Sequence, residues 1–207
     1  MAFEPAIEPV FCFYAQIFPM AVAAPSDARY NAEKTSAEHA GGEKVAMTLT
    51  VREHSDWMEM AIREAYENVR HVDGGPFGAI VVKDGRMIGK GRNRVTALND
   101  PTAHAEVQAI REACRYLNDF QLKGCTLYTS CEPCPMCIGA IYWARPDAVY
   151  FACTKEEAAA IGFDDQFIYE EIALPLAQRS IPMRQLRTDQ SLLPFHSWRS
   201  STTKIEY

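Results

Sequence analysis

Two short strings, His104-Ala105-Glu106 and Pro133-Cys134-Pro135-Met136-Cys137, constrain this chain more than any other feature. A Cys-x-x-Cys in the first turn of a helix puts two sulfurs on one side about one turn apart, where N-terminal backbone amides favour the thiolate. Alone, such a pair could be a redox couple, and a lone histidine is more often a hydrogen-bonded polar residue than a ligand. Here each string opens a predicted helix that follows a strand. His104, Cys134 and Cys137 then make three nitrogen and sulfur ligands for one Zn²⁺, which leaves the fourth tetrahedral position open for water, the arrangement of a catalytic rather than a structural zinc. Cys131 is the candidate that would close the site. It lies outside the helix, and the turn at Glu132-Pro133 directs its chain away, so an open site is expected. Glu106, two residues beyond His104, points to a different side of its helix. It can take a proton from a zinc-held water and pass it to a leaving amine. Taken alone, Glu106 would read as a surface acid in a helix's first turn.

The remaining cysteines need no disulfide framework, because seven is an odd count and three crowd into Cys131, Cys134 and Cys137. With 207 residues, 48% of them hydrophobic and 23% charged, one globular domain is the default. A formal charge of −6 argues against a long phosphate backbone as partner. Residues 1–46, with six acids and three bases, carry −3 of it, so the rest of the chain opposes RNA less firmly. The stretch Val10 to Ala24 is too short, and too interrupted by Gln16 and Pro19, to span a bilayer; no membrane segment is expected.

The chain changes character near residue 47. Residues 1–46 hold no sustained helix or strand period and read as an N-terminal extension, either a disordered leader or a start assigned too early, with Met47 the true beginning. Ala21-Val22-Ala23 resembles a signal cleavage site, but Glu4 and Glu8 occupy the region where a signal needs positive charge. From residue 47 the pattern is regular. Ser55 caps a predicted helix whose Met58, Ile62, Ala65 and Val69 form one face. Phe77 to Val82 follows as an apolar strand, and Asp84-Gly85 turns it into a hairpin. A helix opens at Asp100-Pro101-Thr102 and runs to Leu117. A strand over Cys125–Ser130, a helix over Pro133–Ala144 and a strand over Ala148–Cys153 come next. This alternation implies a three-layer α/β/α domain around a mixed sheet.

His-x-Glu followed by Pro-Cys-x-x-Cys is the signature of the zinc-dependent base deaminases. The longer strings Asn99 to Glu106 and Ser130 to Cys137 resemble the branch of the cytidine/deoxycytidylate deaminase-like superfamily that holds guanine deaminases and tRNA adenosine deaminases. Within it Gly162-Phe163-Asp164-Asp165, Pro194-Phe195 with Trp198, and the terminal Glu206-Tyr207 resemble the bacterial guanine deaminases, so that the likeness covers residues 47–207. The resemblance implies a cytidine deaminase-like fold with a five-stranded mixed sheet, one zinc per subunit, and hydrolysis of a purine amine in a cytoplasmic enzyme of purine metabolism. It implies that His104, Cys134 and Cys137 hold the metal and that Glu106 shuttles the proton. Asp165 would recognise the guanine edge and assist proton transfer, with Asp164 beside it. Asn93 and Ala105 would bind the base, Phe77 would stack on it and Trp143 would wall the pocket. It further implies a homodimer in which the C-terminal segment crosses over, Tyr207 capping the neighbouring active site. On the residues alone, Phe77 and Trp143 would serve equally as core aromatics, Asp164-Asp165 as a helix cap and Asn93 as a turn residue.

Guanine presents N1–H and a 2-amino group, and a carboxylate can accept from both in parallel. Adenine presents an unprotonated N1 that a carboxylate repels. A pocket of buried hydrogen bonds can reject the wrong analogue by about 10⁴-fold, so Asp164-Asp165 favours guanine. The chief alternative is a tRNA adenosine deaminase, which needs a basic rim; Arg86, Lys90, Arg92 and Arg94 are only a modest cluster. Guanosine or another amino-heterocycle is a nearer alternative. A non-catalytic zinc-stabilised interaction domain would leave the His-x-Glu spacing without use.

Overall fold

The computed structural model describes residues 53–207. The expected extension over residues 1–46 lies outside the described residues. The first helix, α1 (His54–Arg70), starts one residue before the expected Ser55 cap. Its entry is tied instead by the Glu53 amide, which donates to Asp56 at 3.0 Å. The buried residues of α1 are Trp57, Ala61, Ala65 and Asn68; of the expected face, Ala65 is buried and Met58 packs partly buried against the core, while Ile62 and Val69 are about half exposed.

Strand β1 (Gly78–Lys83) and strand β2 (Arg86–Arg92) form the expected antiparallel hairpin. At its tip Asp84 and Gly85 both have positive φ, 50° and 68°, the geometry that an Asp-Gly turn supplies between twisted strands. A one-turn helix α2 (Val95–Leu98), unforeseen in the sequence, precedes α3 (Ala105–Leu117). Strand β3 (Cys125–Cys131), helix α4 (Pro135–Ala144) and strand β4 (Ala148–Cys153) follow, with β3 antiparallel to β1 and β4 parallel to β3. The sheet order is β2-β1-β3-β4.

Period-two alternation divides β1 between two cores. Ile80 and Val82 pack with Trp57, Ala61 and Tyr128 on the α1 side. Ala79 and Val81 pack with Ala105, Ala109 and Leu127 on the α3 side. The central strand is therefore buried on both faces, which is why it reads as a continuous apolar run. This is the expected α/β/α sandwich.

The fifth strand is absent among the described residues. After β4, Thr154 caps α5 (Lys155–Ala159), accepting from the Glu157 amide at 3.3 Å while its own amide donates to the Glu157 carboxylate at 2.8 Å. That capping box starts the helix that follows β4. A turn at Gly162 (φ 93°) leads to α6 (Gln166–Ala173), residues 182–188 join no ladder, and α7 (Leu193–Ser200) is short. Along β4, Tyr150 and Phe151 point to opposite faces and are each about half exposed, with Tyr150 stacked on Tyr128. No described helix is long and apolar enough to cross a membrane.

Candidate active site

Helix starts build the site. His104 is the N-cap residue of α3 and Cys134 the N-cap residue of α4, both with extended backbone (φ −70° and −65°), while Cys137 lies in the first turn of α4 behind Pro135. Proline suits that first position because its missing N–H would have no helical partner. Both helices thus point their amide-rich ends at one spot, a field that favours thiolates.

The His104 Nδ1 lies 3.5 Å from the Cys134 Sγ and 3.5 Å from the Cys137 Sγ, and the three ligand atoms fall within 4.8 Å of one another. A tetrahedral zinc with ordinary bonds to nitrogen and sulfur separates the two by roughly 3.6 Å, so this donor set fits that ion. Hydrogen bonds couple the three groups to one another. The hydrogen bond with Cys137, reinforced by His104, holds the Cys134 thiol down to about 4. The same bond pushes Cys137 far up, and the Cys134 sulfur raises His104. Cys131 stays outside the cluster: its thiol faces the Thr154 carbonyl at 3.6 Å, and burial pushes it up to about 12. The metal group keeps the three protein ligands that the sequence suggested.

Glu106 is buried in the first turn of α3, and desolvation raises its carboxyl above the usual range. It lines a cavity of about 830 Å³ together with His104, Cys134, Phe77, Asn93 and Asp165. Asn93 is 7% exposed and its Oδ1 accepts from the Val95 amide at 3.3 Å, which fixes the orientation of its carboxamide. Phe77 meets Phe163 edge to face, centroids 4.9 Å apart. Asp164 also lines the cavity, but its Oδ1 accepts from the Gln166 amide at 2.9 Å in the turn that precedes α6, whose N-cap residue is Asp165. Asp165 is half-buried, and its carboxyl is raised first by burial and then by Cys134. Ala105 is fully buried between His104 and Glu106, outside the cavity lining.

Trp143 and Tyr207 lie elsewhere. Trp143 is 62% exposed on the far end of α4, 5.7 Å between ring centroids from Tyr207, and both line a separate apolar groove between α3 and α4. Within one protomer neither walls the cavity, because the last turn of α4 runs away from the metal cluster at its first turn. The sequence reading also overlooked Phe163, whose ring is held against Phe77, and Lys155, which lines the cavity with Nζ 4.8 Å from the centre of the Tyr169 ring. Phe163 sits inside the quoted Gly-Phe-Asp-Asp string; Lys155 carried no signal.

Comparison with known proteins agrees with this geometry. The family described as cytidine and deoxycytidylate deaminase zinc-binding region matches residues 51–153. Guanine deaminase of Bacillus subtilis is 54% identical over 154 residues, covering 74% of this chain and 99% of that protein. Its X-ray structure superposes with a TM-score of 0.74 over 75% of this chain and 99% of that one. A tRNA-specific adenosine deaminase of Aquifex aeolicus is 44% identical over 105 residues, 51% of this chain and 69% of that protein. A cluster of one histidine and two cysteines at converging helix starts is what such a family requires, and the chain belongs to the zinc-dependent cytidine and deoxycytidylate deaminase family.

Proposed function

We propose that this enzyme hydrolyses guanine to xanthine and ammonia. The observation that carries the reading is the 54% identity to a guanine deaminase along 99% of that protein's length, where the tRNA deaminase relative is matched over 69%. The placement of Asp165 supports it, since its carboxylate borders the same cavity as Glu106 and Cys134. Zinc, when bound by His104, Cys134 and Cys137, supplies a polarised water whose proton is easier to remove. Glu106, buried and raised, accepts that proton and returns it to the departing amine. Asp165 accepts from N1–H and the 2-amino group, an arrangement that repels adenine. Phe77, braced by Phe163, stacks on the ring, and the Asn93 carboxamide holds the purine edge. Incubation with guanine should release ammonia and shift the ultraviolet spectrum to that of xanthine; no change in either overturns the reading.

The active unit in this reading is a cytoplasmic homodimer formed by residues 47–207. A reducing compartment keeps two ligand thiols free of disulfides. Dimerisation accounts for the aromatic surface on α4 and β4, where Tyr142, Trp143 and Phe151 are exposed, and for the exposed Phe195 and Tyr207 of the C-terminal segment. That segment crosses to a partner and brings Tyr207 over its cavity. Removing Tyr207 should lower activity with zinc retained; wild-type kinetics, or a monomer at micromolar concentration, would discard the crossing.

A further inference from the structure

Asn68 is fully buried on the last turns of α1, away from the metal, and carries no motif. Its Nδ2 donates to two backbone carbonyls from separate segments, Gly75 at 2.8 Å and Asn93 at 2.7 Å. The Gly75 carbonyl also accepts from the Phe77 amide at 2.8 Å, and the Asn93 amide donates to the Phe77 carbonyl at 3.1 Å. One carboxamide therefore ties the segment that presents Phe77 to the end of β2 that presents Asn93. The tie is tight: a Cβ on Gly74 would lie 2.3 Å from the same Asn93 carbonyl oxygen.

A primary amide puts two N–H groups on one uncharged nitrogen, whereas a hydroxyl has one proton and an ionised carboxylate none. Asn68 serves both carbonyls although its own Oδ1 is buried without a hydrogen-bond partner.

We propose that Asn68 is a positioning residue for the substrate, holding Phe77 and Asn93 at the spacing that grips a purine; this rests on the purine reading of the cavity. Zinc-loaded full-length Asn68→Asp and Asn68→Ala should raise KM for guanine by at least ~10-fold with kcat changed less than about 3-fold, the mark of lost binding rather than lost chemistry. Asn68→Ser, which keeps one donor, should fall between, and serves if the other two do not fold. Hydrogen exchange at the Phe77 and Asn93 amides should speed up at least ~10-fold in the variants while α3 and α4 keep their protection. Unchanged KM, or equal losses in kcat and kcat/KM, overturns the proposal. If the wild type turns over no purine, the functional reading fails by itself, and exchange still decides: wild-type rates at both amides would show that Asn68 ties nothing.

Discussion

Gly91→Ala should disable the enzyme from outside its active site. Gly91 lies in β2 where the first turn of α3 crosses it, and a Cβ there would sit 2.0 Å from the Ala105 carbonyl oxygen and 2.6 Å from the Ala109 amide nitrogen. Cβ contacts of this kind do not close below 3.0 Å, so strand and helix have to part by about 1 Å. Both obstacles are backbone atoms, so no rotamer change relieves them. Overpacking of this size costs roughly 1–3 kcal/mol, which in a domain this long lowers Tm by roughly 2–12 °C. The displaced turn carries Ala105 with His104 and Glu106 on either side. A shift of about 1 Å at reacting groups costs on the order of 10²-fold. The variant should therefore melt cooperatively, a few degrees early, while kcat/KM on guanine falls by about two orders of magnitude. Differential scanning calorimetry and a coupled ammonia assay on one preparation read both quantities. Wild-type Tm with wild-type kcat/KM would refute the reasoning, because it would mean that α3 is not seated on Gly91.

Three further tests address the site itself. Glu106→Gln should keep about one zinc per chain and lose at least ~10²-fold in kcat, as removal of a positioned proton carrier does; metal analysis and initial rates check it. Cys137→Ala should lose the metal, with activity not restored by added zinc, whereas wild type stripped by a chelator should recover on zinc addition. Thiol labelling should rise with pH at Cys131: its thiol is pushed up to about 12, so at pH 8 only about 10⁻⁴ is thiolate, and mass spectrometry should find Cys153, which is exposed, labelled long before it.

The metal cluster was legible because its three ligands sit in two local strings at helix starts, where one turn fixes their geometry. The hairpin was legible for the same reason, since Asp84-Gly85 meets a conformational demand that few pairs satisfy. The inner face of α1 was legible only in part: Ala65 and Met58 pack inward as expected, but Trp57 and Ala61 share that face, and small alanines weigh less in a hydrophobic pattern than Ile62 and Val69 on the outer side. Helix α2 is one turn long, too short for any period to show. The fifth strand followed from resemblance alone, and no described segment after β4 pairs with the sheet. Asn68 had no signature because its work depends on carbonyls that are close in space and 18 residues apart in the chain, between Gly75 and Asn93. Trp143 was expected at the cavity, but a helix ten residues long carries its two ends to different places, and Trp143 sits at the end away from Cys134 and Cys137.

The central claim is that Asp165 and the zinc cluster together select guanine. Ammonia release measured side by side on guanine, guanosine, adenine, cytosine and cytidine, with one zinc-loaded preparation, tests it most directly. Guanine should exceed adenine by about 10⁴-fold in kcat/KM; equal turnover of adenine would contradict that selection.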